Sequence, residues 1–226
     1  MKYITVVLAA AFCFQHHIQT PGQECVVAKN YNIMPAYNAT RAHIAALKQH
    51  IMAAHINDTA TLQKYFVSAV ADSIIPYWYG TKWDFDGVTQ IPGKGAIACG
   101  YFVSTVLRDA GLKLNRVAMG QSASETITKQ LARKKDIKLF YNKPLPLFIN
   151  YIKEKGFGLY LAGLDCHVGF ILNDGSDIWF IHSKWFAETA VVKELAATSS
   201  VLYYSKYRMI GKISNNKTLL LQWLSN

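Results

Sequence analysis

Apolar positions in the first third of the chain recur at helical spacing. Ile44, Leu47 and Ile51 predict a helix ending near Asn57. Asp58 is placed to cap a second helix carrying Leu62, Phe66 and Val70. Residues 21–39, with Pro21, Gly22 and Pro35, read as an irregular linker. Pro76-Tyr77-Trp78-Tyr79-Gly80 then breaks the helix and opens a loop rich in Trp, Asp and Gly, running to Gly95. Cys99, Val103, Val106 and Ala110 share one stripe of a third helix, with Gly111 as its C-terminal cap. Ser122 and Glu125 have the spacing of a capping box for a helix with Ile127 and Leu131. Pro144 and Pro146 interrupt, and Phe148, Tyr151 and Ile152 predict a short helix ending at Gly156.

Beyond Gly156 the period changes to two. Phe157 to Ala162, Cys166 to Leu172 and Asp177 to His182 read as strands, the last two joined by turn chemistry in Asn173-Asp174-Gly175-Ser176. One long strand or two fall between Val201 and Ile213, with a further strand near Val191. Helices first and an antiparallel sheet afterwards predict an α+β domain.

Hydrophobic residues make up 51% of the 226, enough to bury a full core. A net charge of +10 favours anionic partners such as nucleic acid, anionic lipid or an acidic wall polymer. No arginine-rich stretch, zinc-finger spacing or helix-turn-helix signature supports nucleic acid. Short clusters such as Arg133-Lys134-Lys135 read as a solvated basic face. His43, His50 and His55 read as surface or satisfied core histidines rather than ligands. No Cys-x-x-Cys or His-rich spacing marks a metal site, and no cofactor is called for.

The first 22 residues read as an export signal. Lys2 precedes an apolar run from Ile4 to Phe14 that is too short to span a bilayer. Ala9-Ala10-Ala11 has the small-residue pattern of a cleavage site, and Cys13 is an alternative lipidation site that would attach the chain to a membrane. A core strand is the remaining reading of this run. Cleavage after Cys13 would leave Cys25, Cys99 and Cys166, an odd number that allows a free reactive thiol.

Two of these residues suggest chemistry. Cys99 opens a helix, where the dipole and unpaired N–H groups lower a thiol pKa and the Cys99 N–H is available to an oxyanion. Gly100 leaves room for a substrate carbonyl. His167 lies on a strand whose alternate residues, Cys166, Val168, Phe170 and Leu172, form an apolar face. That parity predicts a core position for Cys166 and the opposite face, beside Gly169, for His167. A nucleophile–base pair distant in sequence and adjacent in the fold is the pattern of a cysteine hydrolase. His182, on the next strand, is the candidate third member that orients the base. Trp78, Tyr79 and Trp83 are candidates to line the cleft, although core packing accounts for aromatics equally well.

Over roughly residues 76 to 185 these motifs resemble the NlpC-type papain-like cell-wall peptidases. Tyr77-Trp78-Tyr79-Gly80 is similar to the family's Tyr-x-Trp-Gly motif, with Tyr79 in the Trp place. Cys99 followed by a helix resembles the nucleophile, and His167-Val168-Gly169-Phe170-Ile171-Leu172 with Ile181-His182-Ser183 resembles the base strand and its neighbour. The resemblance implies a papain-like domain at 76–215, preceded by a linker and helical extension (23–75) and followed by a tail (216–226). It implies Cys99 as nucleophile, His167 as base, His182 as orienting residue and Tyr77 as a helper near the oxyanion. It implies an exported bacterial amidase acting on peptidoglycan stem peptides or related peptides. The chain departs from the family in having Ala98-Cys99-Gly100 where Asp-Cys-Ser is usual, and in a longer stretch between Cys99 and His167. A thiol acyltransferase, an amide hydrolase with a non-wall substrate and a non-catalytic envelope binding module are the competing readings.

Overall fold

A computed structural model describes residues 33–225 of the protein. The export signal, its cleavage site, Cys13 and most of the expected linker lie outside the described residues. Helix α1 (Met34–Ala53) begins at the Met34-Pro35 pair, within the stretch expected to be linker. A proline is compatible with a first helical turn because its missing N–H would be unpaired there anyway. Helix α2 (Thr59–Val67) is capped by Asp58, whose carboxylate accepts the Thr61 N–H at 2.8 Å. It runs on as a π-helical segment, Ser68–Ile74, and ends in a 3₁₀ turn at Ile75–Trp78, where Pro76 cannot continue a regular helix.

Helix α3 (Cys99–Asp109) follows the loop and ends at Ala110, with Gly111 at φ +100°. Helix α4 (Arg116–Gly120) precedes α5 (Ser124–Leu131). The expected capping box is not formed: Ser122 donates to the Ala118 carbonyl, and Glu125 pairs with Lys129 and Tyr207. Strand β1 (Ile137–Tyr141) has no counterpart in the sequence reading. Helix α6 (Leu145–Lys155) ends at Gly156, φ +71°.

Strands β2 (Gly158–Leu164), β3 (Val168–Asn173), β4 (Ile178–Ser183) and β5 (Val191–Leu195) form consecutive antiparallel pairs. Between Val201 and Ile213 the expected strand or strands resolve into a short helix α7 (Ser200–Tyr204) and strand β6 (Tyr207–Lys212). The sheet order is β1-β6-β2-β3-β4-β5, antiparallel throughout. The class is α+β.

Strands β2 and β3 are buried over their whole length because both sheet faces are covered. Val168, Phe170 and Leu172 face one core, as their alternation predicts; Ile171 and Phe180 face the other. The first core contains Phe102 of α3, Leu62 and Phe66 of α2, and Ile44 of α1. The N-terminal helices are therefore part of the domain rather than an extension to it. Tyr37 of α1 donates its hydroxyl to Asp109 at 2.7 Å, fastening α1 to the end of α3. The expected C-terminal tail is helix α8 (Lys217–Ser225). Its Trp223 is fully buried, packs edge-on against Phe66 and donates its indole N–H to the Ala110 carbonyl at 2.7 Å.

Candidate active site

The site forms where the start of α3 meets the β3–β4 pair. Cys99 is the first residue of α3, so its N–H and those of Gly100 and Tyr101 have no partner within the helix. The preceding segment is pinned from two sides. The Ile97 N–H donates to the Lys82 carbonyl at 2.9 Å, and Ser183 at the end of β4 donates its hydroxyl to the Ile97 carbonyl at 2.6 Å. The residue next to His182 thus fixes the chain two residues before Cys99. Phe102 packs edge-on against Phe170 and holds α3 on the sheet.

Cys99 and His167 line the same two cavities, of about 200 and 620 Å³. His167 is buried, immediately before β3, with the Trp185 indole 4.5 Å from its ring centre. His167 Nε2 lies 2.8 Å from His182 Nδ1. The β3–β4 register places His182 opposite Gly169 and therefore diagonal to His167. A Cβ on Gly169 would lie 2.8 Å from the His182 Cβ and 2.6 Å from the Phe180 ring. Glycine here makes room for the stacked Phe180–His182 pair, whose centroids are 3.9 Å apart.

The relay continues to a residue that the sequence reading does not include. Glu194 on β5 lies opposite Phe180, diagonal to His182, and its Oε1 is 3.3 Å from His182 Nε2. Lys184 donates to Glu194 Oε2 at 2.8 Å and Ser199 to Oε1 at 2.5 Å. This hydrogen-bond pattern assigns the protons. A carboxylate only accepts, so His182 presents Nε2–H to Glu194. Its bare Nδ1 then accepts Nε2–H from His167. The Nδ1 of His167 keeps its lone pair, the form a general base requires.

The electrostatics differ from the sequence expectation of a thiolate. Burial pushes the Cys99 thiol up, against hydrogen bonds from the backbone N–H groups of Val168, Gly100 and Cys99 itself. Burial also takes the His167 imidazole well below its usual value. His182 adds to that shift and Glu194 opposes it. Burial lowers His182 as well, with Glu194 pulling it back. Burial would raise the Glu194 carboxyl, but hydrogen bonds from His182, Lys184 and Ser199 outweigh it and hold Glu194 at about 2. Burial thus favours the neutral form of both the thiol and the imidazole that line these cavities.

The other expected site residues separate into two groups. Trp83 and Gly100 line the larger Cys99 cavity. Gly100 is required for a different reason from the one expected: a Cβ there would lie 2.3 Å from the Gly120 carbonyl oxygen. Trp78 is a core residue, fully buried, and donates its indole N–H to the Tyr37 hydroxyl at 3.0 Å. The Tyr77 hydroxyl shares a hydrogen bond with Thr40 on α1 at 2.9 Å, and its ring packs on Tyr37. Neither Tyr77 nor the partly exposed Tyr79 is among the residues lining the two Cys99 cavities.

Cys166 is also displaced from expectation. It is exposed and lines both Cys99 cavities, because β3 begins at Val168 and the bend before it breaks the alternation. Trp185 and Glu194 were missed: Trp185 follows the predicted strands, and a lone Glu near Val191 carries no motif. Among the described residues no group of three His, Cys, Asp or Glu side chains is arranged to hold a metal ion. No family model, curated protein or solved structure matches this chain.

Proposed function

We propose that the protein is a cysteine hydrolase of peptide amide bonds, with Cys99 as nucleophile and His167 as base. The observation that carries this reading is a thiol and an imidazole lining common cavities, with a His182–Glu194 relay fixing the tautomer of the base. Cys99 Sγ attacks the amide carbonyl as His167 Nδ1 takes the thiol proton. The N–H groups at the start of α3 receive the oxyanion. His167 then gives that proton to the leaving nitrogen, the C–N bond breaks, and a Cys99 thioester remains. Water, deprotonated by His167, hydrolyses the thioester and restores the thiol.

Because the resting thiol is protonated, attack and proton transfer are coupled, as in a serine hydrolase, and no preformed ion pair is needed. Stem peptides of peptidoglycan are the first substrates to try. The net charge of +10 favours an acidic wall polymer, and the amino-terminal apolar run fits export. The full chain and its Cys99→Ala variant are incubated with purified peptidoglycan and with a mixed peptide library, and released fragments are identified by mass spectrometry. Fragments from the wild type alone support the reading and identify the bond. Turnover by a folded Cys99→Ala variant, or no cleavage of either substrate set, overturns it.

A further inference from the structure

Three cavities converge on Cys166 and His167. Cys99 lines the two described above; the third, about 310 Å³, reaches His167 but not Cys99. Its walls include Trp185, Phe186, Val201 and Tyr204. Phe186 is 60% exposed and Tyr204 78%, at the rim of one concave site rather than scattered over the surface. The one carboxylate on its wall, Asp165, is engaged: its two oxygens accept the N–H groups of Lys206 and Tyr207 at 2.9 and 3.1 Å.

The position of this cavity relative to the reacting groups gives it a role. The imidazole that takes the thiol proton must deliver it to the departing nitrogen. The leaving group therefore lies on the His167 side of Cys99, and this cavity is on that side. We infer that it is a leaving-group pocket, which selects peptides whose residue released as the new amine carries an aromatic or branched aliphatic side chain. The inference rests on the amide-hydrolase reading above. An apolar cavity of ~150 Å³ holds a benzene ring, so 310 Å³ is room enough for such a side chain. An alanine methyl would leave most of it unfilled.

The test uses the full chain and peptides with one common acyl side. The residue after the scissile bond is alanine, aspartate, leucine or phenylalanine, and release of the new amine is followed by chromatography. The wild type should cleave the leucine or phenylalanine peptide with a kcat/KM about tenfold to a hundredfold above that for alanine. In a Phe186→Ala/Tyr204→Ala variant that ratio should fall at least about fivefold, since part of the apolar wall is gone. Equal kcat/KM across the wild-type series overturns the inference and leaves the hydrolase reading standing. A preference that survives intact in the double variant also overturns it. Failure to cleave any peptide overturns the hydrolase reading and this inference with it.

Discussion

His167 Nε2 lies 2.8 Å from His182 Nδ1, and this contact determines where both rings keep their protons. Two neutral imidazoles can satisfy it in either direction. Glu194, 3.3 Å beyond His182 Nε2, removes the choice because a carboxylate cannot donate. The tautomer of His167, at one end of the relay, is thus set by a carboxylate on a strand that touches neither Cys99 cavity.

Replacing Glu194 by Gln tests that dependence. Glutamine can donate as well as accept, so the tautomer of His182 is no longer dictated, and kcat should fall by about tenfold or more. The Glu194 charge also raises the His167 pKa, against burial and His182. Its loss should move the acid limb of the kcat/KM profile to lower pH. A purely structural defect would lower activity without moving that limb, so the full pH profile separates the two.

The same residue links stability to pH. The Glu194 carboxyl is held at about 2, below its ordinary 4.5, and its side chain is only 22% exposed. A depressed carboxylate contributes stability that is present above the unfolded value and is lost as pH falls through the folded one. That contribution is on the order of 3 kcal/mol. Urea unfolding of the wild type and Glu194→Gln should differ most above pH 5, and the gap should close between about pH 4.5 and 2. A gap independent of pH would contradict the ionic role of Glu194.

Thiol chemistry should show the neutral resting pair. Burial raises the Cys99 pKa and depresses that of His167, so little thiolate exists at neutral pH. Alkylation of Cys99 by iodoacetamide, read by peptide mass spectrometry, should be slow at pH 7 and accelerate above pH 9. Hydrolysis needs only the neutral imidazole, so its acid limb should lie below the usual histidine range near pH 6.5. Fast alkylation at pH 6 would instead reveal a thiolate–imidazolium pair.

Periodicity made much of this architecture legible before the structure. The caps at Asp58 and Gly156 and the turn at Asp174-Gly175 are local chemistry, and they occur where the sequence puts them. What local pattern cannot carry is pairing at a distance. Strand β1 is an edge strand whose only buried side chain is Phe140, so it has no alternation to read. Glu194 is recognisable only once the β4–β5 register is known. Cys166 was misplaced because alternation was extended past the start of β3 into a bend. Trp78 sits in a motif that suggested a cleft, yet its N–H is satisfied by Tyr37, forty-one residues earlier. The same distance problem hid α8, whose apolar residues have meaning only against α1 and α2.

Trp223 offers the most direct measure of that last point. It is fully buried, stacks edge-on with Phe66 at 5.5 Å between centroids and donates to the Ala110 carbonyl at 2.7 Å. Truncation to alanine opens a cavity in the first core and orphans that carbonyl. The cost should be about 3–5 kcal/mol in urea unfolding. Leu221, on the same helix but 43% exposed, is the control, and Leu221→Ala should cost less than about 0.5 kcal/mol. Because α3 carries Cys99 at its start and meets Trp223 at its end, Trp223→Ala should also lower kcat at temperatures where the fold persists. Equal, small effects from both substitutions would mean that α8 contributes little to the fold and that residues 216–226 act as a tail.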